Sequence, residues 1–476
     1  MVRVYTQSLV ALLGFGVVFA THGCSGGSGA GSDEGGTWRV SQHSALGFEM
    51  EAIPSQKGDG FAIDLYVSLS PSSVTFLRVP GGFQARYDIT ARLHYRSTEK
   101  LSAEYASTET TAVAEYERTQ SNERFVVKKR LPVVPGEYRL EVTLEDRNST
   151  RSGTLAQSVT VIDTAERSPA LGRLYLATQG ADGVIHPVVS LHVPTGLDSL
   201  KCAFDIYNIL PGDTLDAELH VLKFLSDTTV PVPPYFYPIF QRSEPSGIIL
   251  LRGADTVFRQ QLGLYIEKRR ETFAVKLPSL NPGLYRVDVS VPPPIPGVTD
   301  TTASMVSRRF YLITPRGFPR PTTYKELIDA ASFIATRAEV EEMRGATTDQ
   351  ERQKRFDAFW LKLVPDKAKA ATVIGQYYTR IEQANRLFTT VEDGWRTDRG
   401  MVYCILGPPV ETTTSLDTQS WYYSRSAGTS EIVFTFKRLV RMTEGLSVED
   451  YLLYRQAGSE TAWVNAISQW RNGTPP

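Results

Sequence analysis

Three acidic side chains lie close together around a tryptophan, and this pattern is the one in the chain that most suggests chemistry. Asp393 and Asp398 flank Trp395, and Glu411 follows shortly afterwards. Glycosidases need two carboxyl groups held roughly 5–10 Å apart, and aromatic rings stack against their sugars. The segment therefore indicates a candidate carbohydrate-binding or carbohydrate-cleaving site.

A structural interpretation accounts for the same residues. Gly394 is expected to end a helix in a left-handed conformation. Thr397 and Asp398 are expected to bond the backbone amides of their own turn. Trp395 is expected to fill the contact between a helix and a sheet. In this interpretation the segment is a clasp at a junction and performs no reaction.

Asp398 also lies beside two cationic residues, Arg396 and Arg399, which are expected to balance its charge locally. In a turn that precedes a strand, a carboxylate commonly accepts hydrogen bonds from backbone amides. We therefore expect Asp398 to be structural, and we expect Asp398→Asn to cost little stability. Pro408-Pro409 is expected to end the strand that follows the turn.

Histidine, the usual proton shuttle and a common metal ligand, is missing from the second half of the chain. All six histidines precede residue 221: His22, His43, His94, His186, His192 and His220. This excludes Ser-His-Asp machinery, Cys-His machinery and imidazole zinc sites from the region around Trp395. The sequence also has no HExxH, paired CxxC, P-loop or GxSxG motif. It indicates no catalytic residues, no metal site and no cofactor.

The run from Gly394 to Gly400 resembles the signature of the bacterial GWxTD domain family. Upstream, the resemblance includes Phe359-Trp360, Tyr377-Tyr378, Arg380, Ala384-Asn385 and Phe388. The motif positions, which we expect to be structural, are Gly394, Trp395, Thr397, Asp398, Arg399, Gly400, Gly407, Pro408, Pro409 and Trp421. The resemblance covers about a quarter of the chain. It implies a domain architecture and no particular biochemical activity.

The N-terminus resembles an export signal followed by a tether. In residues 1–23, Arg3 precedes an apolar run from Leu9 to Ala20 that is too short to span a bilayer as a mature helix. Thr21-His22-Gly23-Cys24 resembles a bacterial lipobox, in which the cysteine is acylated and becomes the new N-terminus. Residues 24–36, rich in Gly and Ser, would be a flexible tether. The alternative is ordinary signal cleavage with Cys24 unmodified.

These features predict an exported cell-envelope protein. Ser25 follows Cys24, which by analogy with enteric sorting favours an outer-membrane lipoprotein. The formal net charge of -1 gives no electrostatic reason to expect a nucleic-acid partner. The expected partners are the membrane, through the lipid anchor, and an unidentified envelope protein, and the sequence does not indicate an oligomeric state.

The first half of the chain has the period of β-strands. Between Phe83 and Arg96 every odd position is apolar and every even position is polar, as in a strand with one face in a core. Short one-sided strands separated by turns indicate an antiparallel β-sandwich.

The late hairpin of this pattern recurs about 147 residues further on. Pro135-Gly136 precedes an alternating strand led by Tyr138, and Pro282-Gly283 precedes one led by Tyr285. We predict two tandem immunoglobulin-like antiparallel β-sandwiches, in residues 37–166 and 167–315. The alternative is one large β domain with two similar hairpins.

The chain is predicted to be multidomain. Residues 316–476 are predicted to form its last domain, an α+β unit with helices and a small antiparallel sheet. The predicted helices are opened by Thr323 with Glu326 and by Thr348 with Glu351, and a third covers about 367–388. Strands are predicted at 401–406, 419–423 and 432–436. Ser447 with Asp450 is predicted to open a last helix.

Two proline-rich stretches lie in the second predicted sandwich. Residues 231–238 combine prolines with aromatic side chains, as in a recognition loop, and the alternative is a stiff surface loop. Residues 292–296 cannot form a central strand. Cys202 and Cys404 each lie among apolar residues and are expected to be buried thiols, while a disulfide between them is the alternative.

The sequence leaves three hypotheses for the function. The first is a non-catalytic envelope lipoprotein that presents its GWxTD domain for protein–protein interaction or scaffolding. The second is a carbohydrate-binding or carbohydrate-cleaving surface protein that uses Trp395, Tyr235 and the acidic cluster. The third, a secreted peptidase, has no identifiable nucleophile and base. Burial of Trp395 and Trp421 would count against the second.

Overall fold

A computed structural model describes residues 39–41, 46–58, 60–119, 124–149, 151–165, 168–180, 183–197, 199–225, 230–235, 254–292, 304–415, 417–423, 432–443, 446–455 and 459–476. The predicted signal peptide, Cys24 and the tether lie outside these residues. Among the described helices, none is long and apolar enough to cross a membrane.

The first sandwich packs a six-stranded sheet against a three-stranded sheet. Its strands are β1 (Arg39–Ser41), β2 (Phe48–Lys57), β3 (Gly60–Leu69), β4 (Leu77–Val79), β5 (Gly82–Tyr95), β6 (Leu101–Val113), β7 (Phe125–Val133), β8 (Gly136–Asp146) and β9 (Ser152–Val161), with a short helix α1 (Tyr116–Thr119) after β6. The larger sheet has the order β1-β9-β8-β5-β4, with β6 also paired to β5, and the smaller sheet has the order β2-β3-β7.

The alternation in the sequence explains the first core. In β5 the odd positions Ala85, Tyr87, Ile89, Ala91 and Leu93 are buried. They pack in one cluster with Ile63, Leu65 and Val67 of the facing sheet. The period-two pattern therefore sets which face of the sheet is covered.

The second sandwich pairs two five-stranded sheets. Its strands are β10 (Ala170–Leu171), β11 (Tyr175–Gln179), β12 (Ile185–Pro187), β13 (His192–Pro194), β14 (Lys201–Tyr207), β15 (Thr214–Phe224), β16 (Asp255–Tyr265), β17 (Arg270–Lys276), β18 (Gly283–Val291) and β19 (Met305–Thr314). One sheet has the order β10-β14-β11-β12, with β17 on β14, and the other has the order β13-β19-β18-β15-β16. Pairing is antiparallel except between β13 and β19.

The two sandwiches share their main strand pairings. The hairpin β5–β6 corresponds to β15–β16, and the pair β8–β9 corresponds to β18–β19. Tyr138 donates its hydroxyl hydrogen to the Val134 carbonyl and Tyr285 donates to the Asn281 carbonyl, both at 2.8 Å. Each sandwich has its own core cluster. The prediction of two tandem sandwiches is confirmed.

The C-terminal region is an α+β domain. Its elements are α2 (Tyr324–Ala330), α3 (Arg337–Arg344), α4 (Asp349–Leu363), α5 (Lys367–Phe388), α6 (Asp398–Leu406), β20 (Glu411–Thr414), β21 (Thr418–Tyr423), β22 (Ile432–Thr443), β23 (Leu446–Leu453) and α7 (Glu460–Arg471). The strands form one antiparallel sheet in the order β20-β21-β22-β23. A 3₁₀ turn, Gly394–Arg396, precedes α6.

Side-chain caps define the helix starts. Thr323 and Glu326 form the predicted reciprocal capping box of α2. Thr348 caps α4 as predicted, by accepting from the Glu351 amide. A capping box at the start of α3, made by Thr336 with Glu339, was not predicted.

Two predictions for this domain are wrong. Residues 401–406 form the second half of helix α6 and not a strand. Met401, Val402, Cys404 and Ile405 are all fully buried, so the helix is apolar all round and shows no 3.6-residue period. Ser447 and Asp450 lie inside strand β23, which pairs with β22, and do not open a helix.

Candidate functional site

The turn between α5 and α6 carries the residues that the sequence singles out. Helix α5 is followed by Thr389, whose side-chain oxygen accepts a hydrogen bond from the Gly394 amide at 2.8 Å. The buried amide side chain of Asn385 accepts from the Trp395 amide at 3.2 Å and donates to the Pro319 carbonyl at 2.8 Å. The turn is therefore fixed to α5 and to the segment before α2.

Two glycines permit this turn, because at each of them a second backbone segment lies too close to leave room for a side chain. A Cβ atom on Gly394 would overlap the Ala384 carbonyl oxygen, and one on Gly400 would overlap the Gly394 carbonyl oxygen. Neither glycine has a positive φ, so the predicted left-handed conformation of Gly394 is wrong. The requirement for glycine arises from close packing of α5, the 3₁₀ turn and α6.

Thr397 starts helix α6. Its hydroxyl oxygen accepts from the Gly400 amide at 3.0 Å and donates to the Gly394 carbonyl at 2.7 Å. This satisfies one free amide of the new helix and closes the 3₁₀ turn at the same time. Thr397 thus bonds a backbone amide of its own turn.

Asp398 is the first residue of α6, and it joins the helix to the far end of strand β23. Its Oδ2 accepts from the buried Leu453 amide at 2.8 Å. Arg455 donates to Oδ1 at 2.7 Å and to Oδ2 at 3.3 Å. The carboxylate is only 9% exposed, so this pair is largely desolvated. Asp398 therefore begins a helix and does not precede a strand, and the amide that it binds is in β23 and not, as predicted, in its own turn.

The prediction that Arg396 and Arg399 balance the charge of Asp398 is wrong. Residues one or two positions apart do not face each other on a helix. Arg396 pairs with Asp393 at 3.2 Å and with the buried Asp329 at 3.6 Å. Arg399 lies over the ring of Tyr451 at 3.8 Å. Each arginine is engaged elsewhere in the domain.

The two tryptophans of the motif are buried. Trp395 is 4% exposed and packs edge-on against Phe333, with ring centroids 5.6 Å apart. Trp421 is 3% exposed and lies against Phe388 and Phe436 at 5.6 and 4.9 Å. Neither ring is available to stack on a sugar, which counts against the carbohydrate hypothesis.

The other end of α6 is held by Gly407 and Arg380, which the family resemblance includes, and by Tyr423 and Trp470. Gly407 adopts φ +81°, and its carbonyl accepts from the Tyr423 hydroxyl at 2.8 Å. The Ile405 carbonyl accepts from Arg380 and from the Trp470 indole, both at 2.9 Å. Burial lowers the pKa of Arg380. Pro408 and Pro409 follow the end of this helix, not the end of a strand.

A small cavity lies beside Asp398. Of the predicted acidic cluster only Asp398 lines it, together with Glu392 and Asp450, while Asp393 and Glu411 do not. Its volume is ≈ 20 Å³, enough for about one water molecule and too small for a sugar ring. Among the described residues, no group of three or more His, Cys, Asp or Glu side chains is arranged to hold a metal ion.

The family comparison covers this turn. Residues 298–472 match the family model described as GWxTD domain. The chain carries a GWxTD domain. The resemblance predicted from the sequence is therefore confirmed for this part of the chain.

No curated protein matches the chain. Among solved structures, red sea bream transglutaminase aligns at 9% identity with TM-score 0.16, covering 56% of this chain and 31% of the transglutaminase. The alpha-2-macroglobulin of E. coli aligns at 11% identity with TM-score 0.16, covering 56% of this chain and 16% of that protein. A bacterial adhesin from Mobiluncus mulieris aligns at 12% identity with TM-score 0.16, covering 59% and 99%. At these scores the likenesses support no inference about this chain.

The second sandwich contacts the GWxTD domain through an apolar patch and a polypeptide segment. Val391 of the GWxTD domain clusters with Phe224, Leu284 and Phe310 of the sandwich. Val230 and Tyr235 pack against the core of the GWxTD domain. The predicted recognition loop thus contacts its own chain in its first half, and residues 236–238 lie outside the described residues.

All three folded parts meet at Glu49 of the first sandwich. Ser190 donates to its carboxylate at 2.9 Å, and His192 of β13 lies 3.7 Å from it and 3.3 Å from the Thr390 carbonyl. Burial alone would raise the pKa of the Glu49 carboxyl. Attraction to Arg124, with interactions from His192 and Ser190, outweighs burial and lowers the pKa to about 2. The charged form is favoured at this junction.

The two described cysteines are buried free thiols in separate cores. Burial raises the pKa of Cys202 to about 12 and raises that of Cys404 further. The thiolate, which is the reactive form, is therefore disfavoured at both positions.

Proposed function

We propose that this protein is a non-catalytic cell-envelope lipoprotein whose sandwiches present the GWxTD domain to a protein partner, as an interaction or scaffolding module. The observation that carries the non-catalytic part is the environment of Asp398. Its carboxylate is bonded to the Leu453 amide and to Arg455 within 3.3 Å. An acid held in this way fastens two elements of its own domain.

The surrounding residues support the same proposal. A general acid or base is most effective when its pKa lies near the working pH, and histidine is the side chain that most often meets this need. The sequence has no histidine after residue 220. The cavity at Asp398 has room for about one water molecule, and the nearby tryptophans are buried.

Scaffolding is supported by the contacts between the folded parts. Glu51 of β2 is fully buried and pairs with Arg309 of β19 at 2.6 Å and with Arg173 at 3.3 Å. Removing one partner of a buried ion pair strongly destabilises the folded protein, because the other charge is left buried and unpaired. Such a junction resists bending between the two sandwiches that would carry the GWxTD domain.

Anchoring is proposed from the sequence alone. The order of the apolar run, Gly23-Cys24 and the Gly/Ser-rich residues motivates acylation at Cys24. Metabolic labelling with a fatty-acid analogue is expected to mark the wild type and not Cys24→Ala. Equal labelling of both proteins, or of neither, would remove the anchor from the proposal.

Site-specific photocrosslinking in the native envelope tests the interaction. Val410 is 72% exposed on the GWxTD domain, and Tyr265 is 57% exposed on the second sandwich and serves as a matched control position. We expect a discrete adduct to one protein from position 410 and a weaker one, or none, from position 265. Absence of an adduct from position 410 and from the exposed Leu387 and Val464 would contradict the proposal.

The non-catalytic part has its own test. Asp398→Asn is compared with the wild type on envelope polysaccharide and peptide substrates. We expect no turnover by either protein. A hydrolytic activity that the wild type shows and the folded variant lacks would overturn this part.

A further inference from the structure

The connection between β15 and β16 is much longer than its counterpart in the first sandwich. Residues 225–254 make it, whereas residues 96–100 join β5 to β6. Apart from its first and last residues, the described part of this connection is Val230–Tyr235, which has the sequence Val-Pro-Val-Pro-Pro-Tyr and is neither helix nor strand. This segment leaves its own sandwich and lies on the GWxTD domain.

The contacts of the segment are those of a bound peptide. Val230 and Tyr235 are half-buried against the GWxTD core, and Pro234 is buried. Arg455 donates from Nη2 to the Val232 carbonyl at 3.1 Å. The same guanidinium is oriented by its two bonds to Asp398. Apolar side chains at both ends and one backbone carbonyl are thus recognised.

The composition of the segment suits this mode of binding. Proline fixes φ near −65° and has no amide hydrogen, so a proline-rich segment is already extended and loses little entropy on binding. Its carbonyls remain free acceptors for a side-chain donor. Proline-rich segments typically dock in apolar, aromatic-lined grooves, and this face adds Arg455 as a donor to a backbone carbonyl of the segment.

We propose that this face of the GWxTD domain is a docking surface for an extended, proline-containing protein segment, which residues 230–235 fill in cis and a partner fills in their place. The inference rests on the proposed interaction function and names the surface and the partner chemistry. Asp398 acts here as a positioning residue, because it orients Arg455 towards the segment.

The structure also explains why a partner could compete. The segment makes no strand pairing with the GWxTD sheet among the described residues, so a partner needs only to replace side-chain packing and the Arg455 bond. A tethered segment has an effective concentration of about a millimolar. The wild type should therefore bind a free peptide poorly, and a variant without the segment should bind it well.

The test uses the chain from residue 37 onward, with residues 230–235 replaced by a Gly-Ser sequence of the same length. The probe is a fluorescent synthetic peptide of residues 228–237, and its anisotropy reports binding. We expect this open variant to bind with a dissociation constant below about 0.1 mM, and the wild type, in which the tethered segment competes at about a millimolar, to bind at least about tenfold more weakly. A peptide of the same composition in scrambled order is the control.

A second comparison isolates the guanidinium. Arg455→Gln in the open variant is expected to weaken peptide binding about tenfold, the equivalent of a lost charged hydrogen bond of about 1.4 kcal/mol. If the open variant does not fold, Tyr235→Ser replaces it, and the same order of affinities is expected.

The proposal is overturned if the folded open variant, or Tyr235→Ser in its place, shows no saturable binding at peptide concentrations up to about 1 mM. Equal binding of the scrambled peptide would also overturn it. Peptide binding that is the same in the wild type and the open variant would overturn it too. These outcomes concern purified protein and peptide. They would leave the envelope crosslinking test, and with it the proposed function, intact.

Discussion

The sandwiches and the GWxTD domain are stabilised in different ways. Each sandwich core is built mainly from aliphatic side chains that alternate along strands, with a few tyrosine and phenylalanine rings. The GWxTD core contains five of the six tryptophans of the chain and is closed by individual contacts at Gly394, Gly400 and Asp398. Substitutions should therefore have small, distributed effects in the sandwiches and large, local effects in the GWxTD domain.

The distribution of tryptophan makes this comparison measurable. Trp38 is the only tryptophan outside the GWxTD domain. Unfolding followed by tryptophan fluorescence therefore reports mainly on the GWxTD domain. Hydrogen exchange, which resolves individual strands, reports on the sandwiches.

Gly400→Ala is expected to have the largest effect. The added methyl would overlap the Gly394 carbonyl oxygen, a backbone atom that cannot rotate away. We expect a loss of about 5 kcal/mol or more, enough to unfold the domain. Denaturant unfolding followed by tryptophan fluorescence measures it.

Gly375→Ala is the matched control, in the middle of α5. Nothing lies within 4 Å of its added Cβ, and alanine favours a helix over glycine by about 1 kcal/mol. We expect this variant to be more stable than the wild type. If both alanine variants behave alike, close packing is not the reason for glycine at position 400.

Trp395→Ala should be next in size. The ring is 4% exposed and packs against Phe333, with the Arg396 guanidinium 4.2 Å above it. Emptying a buried aromatic site costs about 3–5 kcal/mol. A loss below about 1 kcal/mol in the same fluorescence experiment would mean that the ring contributes little to the core, and would restore the carbohydrate hypothesis.

The contrast between the two regions also decides what the sequence predicts. In β5 and α5 the spacing of apolar residues matches a single period, and both elements were predicted, α5 with the observed bounds Lys367–Phe388. Helix α6 was predicted as a strand because it is buried on all sides. Periodicity identifies an element only when one of its faces meets water.

The candidate site was predictable only as far as local contacts extend. The hydrogen bond of Thr397 to the Gly400 amide spans three residues and follows from cap chemistry. The cation that pairs with Asp398 is Arg455, 57 residues further along the chain, and Arg396 instead reaches Asp329. Partners that tertiary folding brings together have no fixed spacing in the sequence, so the sequence alone does not predict them.

Asp398→Asn should have an intermediate effect, larger than the sequence alone predicts. The asparagine can still accept from the Leu453 amide, but it leaves Arg455, whose side chain is 18% exposed, without its anion. We expect a loss of about 2 kcal/mol. Asp393→Asn, at a side chain 43% exposed, is the control and should cost below about 0.5 kcal/mol.

A double-mutant cycle with Arg455→Gln assigns the effect to the pair. We expect the loss for the double variant to be smaller than the sum of the two single losses by about 1 kcal/mol or more. Additive losses would mean that Asp398 acts mainly through the Leu453 amide.

The smallest predicted effects are in the sandwiches, and they should be equal. Tyr138 and Tyr285 are both 1% exposed, and each donates to the carbonyl four residues earlier at 2.8 Å. Tyr→Phe at either position removes one hydroxyl hydrogen bond and keeps the ring, which costs about 1 kcal/mol. Hydrogen exchange in β8 and β18 should record this loss in the substituted sandwich alone. The ring of Tyr285 stacks on the buried Tyr311 at 5.7 Å, and that of Tyr138 lies tilted against the exposed Tyr95 at 5.4 Å; phenylalanine keeps both ring contacts, so only the hydroxyl bond is tested. If one variant loses several times more stability than the other, the two hairpins have the same shape but different energetics. The sandwiches would then not be equivalent repeats, and the contrast with the GWxTD domain would not hold.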